Sequence, residues 1–312
     1  MITTKNGGLI PEAISSDLDY DYEMVCGSVT PKNYPTKYQI PAARTGTQKN
    51  QGDIGACVAM TITSIAEAYW SQELGETGEH SEGFVYGSFR DDNSTGWGLI
   101  ISVAMEKWTK LGTVPKNNFD ILMEMPELKS VVKKYPELLD IAQKYKLSAY
   151  TRLRDNSTST RDQQIKDALT KYEFGLVGGS GQHCMQLVGW DDEKDSYIFK
   201  DSYGEENGDN GYVKVKKSAV DQVWLPIFTP IELPFKDVSD KDWYYKTVKN
   251  MYLSGLAKGT TDTTFEPNKP MTRAEVYTLV ERVIKENQRI QRLLNKVIQE
   301  KNELINSGYM VK

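Results

Sequence analysis

Apolar positions along this chain recur first at helical spacing and later at strand spacing. Val58, Ile62, Ile65, Ala66 and Tyr69 repeat on a helical period, which predicts a core helix over 57–74. A second helix is predicted over 101–111, stopped by Gly112, and a short third over 163–171. The period then changes, and 185–190, 197–200 and 211–216 read as strands parted by turn residues. Helices first and strands later predict an α+β fold rather than alternating β-α units. Ahead of all this, residues 1–32 are polar and acidic, with Asp17, Asp19, Asp21 and Glu23 close together, and predict a loosely packed arm.

Pro226, Pro230 and Pro234 punctuate a boundary. The expected division is an arm at 1–32, a main domain at 33–230, a small helical module at 231–285 and a terminal helix at 286–312. Within the module a helix is predicted over 243–253, then a Gly/Thr/Pro-rich loop, then a helix starting after Thr272. Val276, Val283, Ile290, Val297 and Leu304 fall every seven residues, and Val280, Asn287, Leu294 and Lys301 fill the companion positions. A seam of this kind predicts self-association through 276–305, as a trimer or, given Asn287 at a core position, a dimer.

Charge and residue counts narrow the function. With 38 basic and 43 acidic residues the net charge is −5, a poor basis for nucleic-acid binding. The longest strongly apolar stretch, 98–105, is far too short for a transmembrane segment. The first residues carry neither a basic nor an apolar region, so no standard signal peptide is expected in this chain. Three cysteines, Cys26, Cys57 and Cys184, leave at least one free thiol. Two histidines, His80 and His183, are too few for a multi-histidine metal site, and no metal or cofactor is expected. His80 lies in a Gly/Glu/Ser-rich stretch and is expected at the surface, which leaves His183 as the candidate imidazole base.

The candidate chemistry lies in two segments. In the first, Gln51 precedes Cys57 by six residues and Cys57 opens the core helix. A helix N-terminus favours negative charge and so a thiolate. A glutamine amide beside the cysteine N–H can hold a developing oxyanion. In the second, His183 opens a strand, and Asp201 follows eighteen residues later. That acid is suited to orient the imidazole in a nucleophile–base–orienter set.

These residues resemble papain-like cysteine peptidases over roughly 35–216. The carrying matches are Gln51-Gly52 with Cys57, His183-Cys184 before Val188-Gly189-Trp190, Asp201-Ser202-Tyr203-Gly204, Asn207-Gly208 and Gly211-Tyr212. The stretch from Ala104 to Trp108 through Leu111-Gly112-Thr113-Val114-Pro115 also resembles the family's second helix and its exit. The resemblance implies a two-lobed fold, a helical lobe then a β-rich one, and hydrolysis of a peptide or protein substrate by Cys57, His183, Asp201 and Gln51. It also implies a substrate wall at Gly96, Trp97, Gly98 and Tyr203. The family's triad asparagine is Asp201 here, and its two shielding tryptophans are Tyr203 and Asn207, a change expected to leave the triad wetter. A His–Asp pair also occurs in transglutaminase-type Cys-His-Asp sites, but Gln51 and Gly211-Tyr212 favour the papain-like pattern. Cys184 is expected to point into the core.

Residues 235–285 resemble one S-layer homology repeat, carried by Phe235-Lys236-Asp237-Val238, Trp243, Gly255-Leu256, Phe265-Glu266-Pro267 and Met271-Thr272-Arg273-Ala274-Glu275. The resemblance implies binding of anionic secondary cell-wall polysaccharide, with Arg273 and Trp243 as candidate contacts. Thr272 and Glu275 form a capping box, and Phe265, Trp243 and Leu256 suit a core. Arg273 opposes the helix dipole, which suits an anionic ligand. The expectation is a cysteine peptidase tethered to a bacterial wall, at the cell surface, extracellular or on a phage virion. Its alternative is a decayed papain-like scaffold serving as a wall-binding or virion structural protein.

Overall fold

The computed structural model describes residues 22–29, 32–75, 78–90, 98–120, 128–228, 230, 232–253 and 256–306. The arm before residue 22 and the positions Gly96 and Trp97 lie outside the described residues. The chain divides into two compact units, one of 1–69 with 77–228 and one of 70–76 with 229–312.

The first unit begins with a short helix α1 (Tyr22–Cys26) and an edge strand β1 (Lys37–Gln39). The helices α2 (Cys57–Leu74), α3 (Glu82–Phe89), α4 (Ile101–Leu111), α5 (Val131–Lys134) and α6 (Leu138–Ala142) follow. Then come β2 (Ala149–Leu153), α7 (Arg161–Tyr172), β3 (Leu176–Ser180), β4 (His183–Asp191), β5 (Ser196–Lys200), β6 (Tyr212–Lys216) and β7 (Gln222–Ile227). This is the α+β, helix-then-sheet order that the periodicity predicts.

One antiparallel sheet runs β2-β7-β3-β4-β5-β6, with β1 added along β4. β4 is buried at every position, as a central strand must be. Gly189 is required where β1 crosses it, because a Cβ there would sit 2.2 Å from the Tyr38 carbonyl oxygen. Helix α2 is buried through most of its length, with Val58, Ile62, Ile65 and Ala66 essentially inaccessible. Helix α7 starts with a full capping box, Thr160 and Gln163 each satisfying the other's backbone N–H.

The second unit holds α8 (Tyr245–Leu253) and a single continuous α9 (Arg273–Asn306), so the expected break at 285/286 falls inside one helix. Its small core is Phe235, Val238 and Val248, flanked by Leu233, Tyr244, Tyr245 and Phe265. Asp237 accepts the N–H groups of Phe265 and Glu266 at 2.8 and 2.7 Å, closing the loop over that core. The end of α2 belongs here too: Lys249 pairs with Glu73, and Asn250 Nδ2 donates to the Leu74 carbonyl at 3.0 Å. Trp243, expected in the core, is 91% exposed, because α8 begins two residues later and the loop carries its ring outward. The Thr272–Glu275 capping box forms as expected, with the Thr272 N–H on Glu275 Oε2 at 2.7 Å. Among the described residues no helix is long and apolar enough to cross a membrane.

Candidate active site

The first unit brings Cys57, His183, Asp201 and Gln51 onto adjoining elements. Cys57 is the first residue of α2, so its N–H has no intrahelical acceptor and the positive end of the helix dipole lies at its thiol. His183 opens β4, and Asp201 follows directly on the end of β5. These two strands pair antiparallel, with Gln186 opposite Lys200, which sets the imidazole and the carboxylate side by side.

His183 Nε2 and Asp201 Oδ1 are 2.6 Å apart, and both side chains are buried. The other ring nitrogen, Nδ1, is buried and forms no hydrogen bond of good geometry among the described residues. Burial alone would lower the imidazole's pKa. Hydrogen bonding to Asp201 and to Cys57, with the negative charge each can carry, outweighs burial and raises it to about 9. The backbone N–H of Cys184 points at the Cys57 sulfur, 3.4 Å away. The Cys184 thiol is fully buried beside Thr61 of α2, as expected of its inward position. Burial first, and then the charge of Cys57, push that thiol well up, so it suits packing rather than attack.

Asp201 is held from three sides. Besides the imidazole, it accepts the Ser202 N–H on Oδ1 at 2.7 Å and Asn207 Nδ2 on Oδ2 at 2.5 Å. Tyr203 lies against the His183 ring. The pair is therefore not left open to water: His183 and Asp201 are only 6% and 4% exposed. A tyrosine ring and an asparagine amide fill the space instead.

Gln51 is buried next to this pair. Its N–H donates to the Ser202 carbonyl at 2.8 Å, and the Ser202 hydroxyl donates to Gln51 Oε1 at 2.6 Å. Gln51 Nε2 spends one of its two N–H groups on the Ile54 carbonyl at 2.7 Å. Ser202 has no sequence signal of its own, because its clamp on the Gln51 amide depends on a contact across 151 residues.

The remaining candidates are placed differently. Gly98 is buried with a positive φ of 108°. His80 is 2% exposed and not at the surface, contrary to the expectation from its polar neighbours. Its ring Nδ1 lies 2.8 Å from Thr113 Oγ1, and its N–H donates to Glu67. Burial, with Lys49 nearby, lowers its pKa to about 3, so it is neutral and fixed rather than a base. The segment is drawn in by a buried Lys49–Glu67–Glu82 cluster that local composition does not reveal. In the second unit Arg273 starts α9 and has no ion-pair partner among the described residues. The Trp243 ring meets that of Tyr244, edge-on at 5.4 Å.

Solved structures carry the same fold as the first unit. Xylellain, a cysteine protease from Xylella fastidiosa, superposes with a TM-score of 0.57 at 18% identity, covering 72% of this chain and 97% of that one. Digestive procathepsin L2 proteinase from the larval midgut of Tenebrio molitor gives a TM-score of 0.54 at 17% identity, covering 72% of this chain and 78% of its own. The first unit thus has the papain-like cysteine protease fold. Residues 234–276 match the family model of the S-layer homology domain. No curated protein matches the chain by sequence.

Proposed function

We propose that the chain is a cysteine peptidase carried on a wall-binding module. Cys57 is the nucleophile, and His183 takes its proton through Nδ1 and later delivers it to the leaving amine. Asp201 orients the ring and stabilises its charged form. The Cys57 N–H and the second amide N–H of Gln51 hold the oxyanion of the tetrahedral intermediate. The observation that carries this reading is the 2.6 Å bond from His183 Nε2 to Asp201, which leaves Nδ1 for the thiol. Gly98, with Gly96 and Trp97 before it, is proposed as substrate wall.

The S-layer homology module is proposed to bind anionic secondary wall polysaccharide through Arg273 and the exposed Trp243, which places the activity at the cell surface. Val276, Val280 and Val283 remain 43–47% exposed on α9, and we assign this seam to self-association. A trimer would supply three modules. Sedimentation equilibrium tests this, and a monomer at micromolar concentration contradicts it.

One observation favours a second reading: Cys57 has no exposed surface. A thiol that never meets substrate would make this unit a scaffold for a wall-binding or virion structural protein. Labelling with an epoxysuccinyl peptide separates the two, since only a live, reachable thiol reacts.

A further inference from the structure

Lys200 is a buried cation that the proposed chemistry does not use. It is the last residue of β5, immediately before Asp201, and is 5% exposed. Its ammonium donates to three consecutive carbonyl oxygens, those of Thr45, Gly46 and Thr47, at 2.8, 2.6 and 2.7 Å. All three of its N–H groups are thereby used on one short segment.

That segment leads directly to the oxyanion donor. From 48 to 51 it is joined rung by rung to 201–204. Gln48 Nε2 donates to the Asp201 carbonyl at 2.6 Å, and the Gly204 N–H donates to the Lys49 carbonyl at 2.9 Å. Asn50 bridges Tyr203, and the Gln51 N–H meets the Ser202 carbonyl at 2.8 Å. Lys200 closes the end of this ladder. Gly46 allows the convergence: its φ is +74°, and a Cβ there would lie 2.4 Å from the Ser64 carbonyl oxygen of α2. The same segment is held from α2 by Glu67, whose Oε2 accepts the N–H and the hydroxyl of Thr47.

We propose that Lys200 is a positioning residue of the candidate active site, its ammonium fixing the segment that carries Gln51 in register with the segment that carries Asp201. The proposal rests on the peptidase reading above. It requires a cation of this reach at position 200 and not merely a residue that fills space. A side chain with no N–H donor leaves the carbonyls of Thr45, Gly46 and Thr47 without this partner, and the ladder shifts where the oxyanion donor and the imidazole's partner must agree to within a fraction of an ångström. Burial pulls the Lys200 pKa down to about 7, reinforced by Lys49 and opposed by Glu67.

The test uses the full chain with a fluorogenic peptide amide as substrate, and an epoxysuccinyl peptide to count live sites. Lys200→Met is expected to lower kcat by more than about tenfold with KM changed by less than about threefold, as fits loss of transition-state alignment. Lys200→Arg, which keeps a cation, is expected to recover kcat to within about fivefold of wild type. Lys200→Gln, which keeps two N–H donors, serves if the methionine variant does not fold, and is expected to fall between the two. Wild-type kcat in a folded Lys200→Met or Lys200→Gln variant overturns the proposal. Equal loss in the arginine and neutral variants, tracking their loss of Tm, also overturns it by reducing Lys200 to a structural role. A wild-type chain that neither labels nor turns over substrate overturns the peptidase reading itself, and this proposal falls with it.

Discussion

The rings of His183 and Tyr203 stack with centroids 5.1 Å apart and planes 22° from parallel. Tyr203 thereby covers one face of the imidazole. A flat aromatic neighbour limits water at the His183–Asp201 bond and holds the ring plane. Tyr203→Ala is expected to lower kcat/KM by about tenfold, while Tyr203→Trp keeps activity within about threefold. Steady-state kinetics on both variants checks this, and an unaffected alanine variant counts against the covering role.

Asp201 offers a carboxyl oxygen to His183 Nε2, 2.6 Å away. An asparagine can still accept from His183 Nε2, so orientation survives while the charge is lost. Asp201→Asn is expected to keep substantial activity, and Asp201→Ala to lose about a hundredfold or more. Equal and complete loss in both variants would contradict orientation as the main role.

The pH profile follows from the raised imidazole. His183 has its pKa lifted from 6.5 to about 9, against the pull of burial, by Asp201 and Cys57. The charged ring's contribution to folding is full below the unfolded value near 6.5 and is lost as pH rises through about 9. The kcat/KM profile is expected to fall on its alkaline side near the same pH, when the imidazole can no longer supply a proton to the leaving amine. Moving that limb down by Asp201→Asn is the signature to look for; a limb unchanged in the variant would disconnect it from His183.

Gln51 and Ser202 act as a unit in this account. Gln51→Ala removes an oxyanion donor and is expected to lower kcat by about a hundredfold with little change in KM. Ser202→Ala leaves the amide in place but unclamped at Oε1, so a smaller loss, about three- to tenfold, is expected. The double variant should be no worse than Gln51→Ala, because the clamp matters only through the amide it holds.

Much of the first unit was legible in the pattern of residues. The helix from Cys57 is marked by a helical repeat of apolar residues, and the strand from His183 by the mainly apolar run of Cys184, Met185, Leu187 and Val188 before Gly189-Trp190. Both signals are local. What remained hidden is long-range. Strands β2 and β7 pair across some seventy residues of chain, and neither has a periodicity that stands out alone. His80 looked solvated because its neighbours are polar, yet Lys49, Glu67 and Glu82 satisfy one another inside and draw it under. Lys200 read as the polar end of a strand, and only the fold shows three carbonyls converging on it. In the second unit Trp243 looked like core by its type, but the fold places it in a loop with its ring exposed.

The central claim is that Cys57 and His183 form a working nucleophile–base pair. The direct measurement is intact-mass analysis after exposure to an epoxysuccinyl peptide, on the wild-type chain and on His183→Ala. The account predicts one adduct, mapped to Cys57, that forms on the wild type and disappears in the variant. An unlabelled wild type, or labelling that persists without His183, would contradict it.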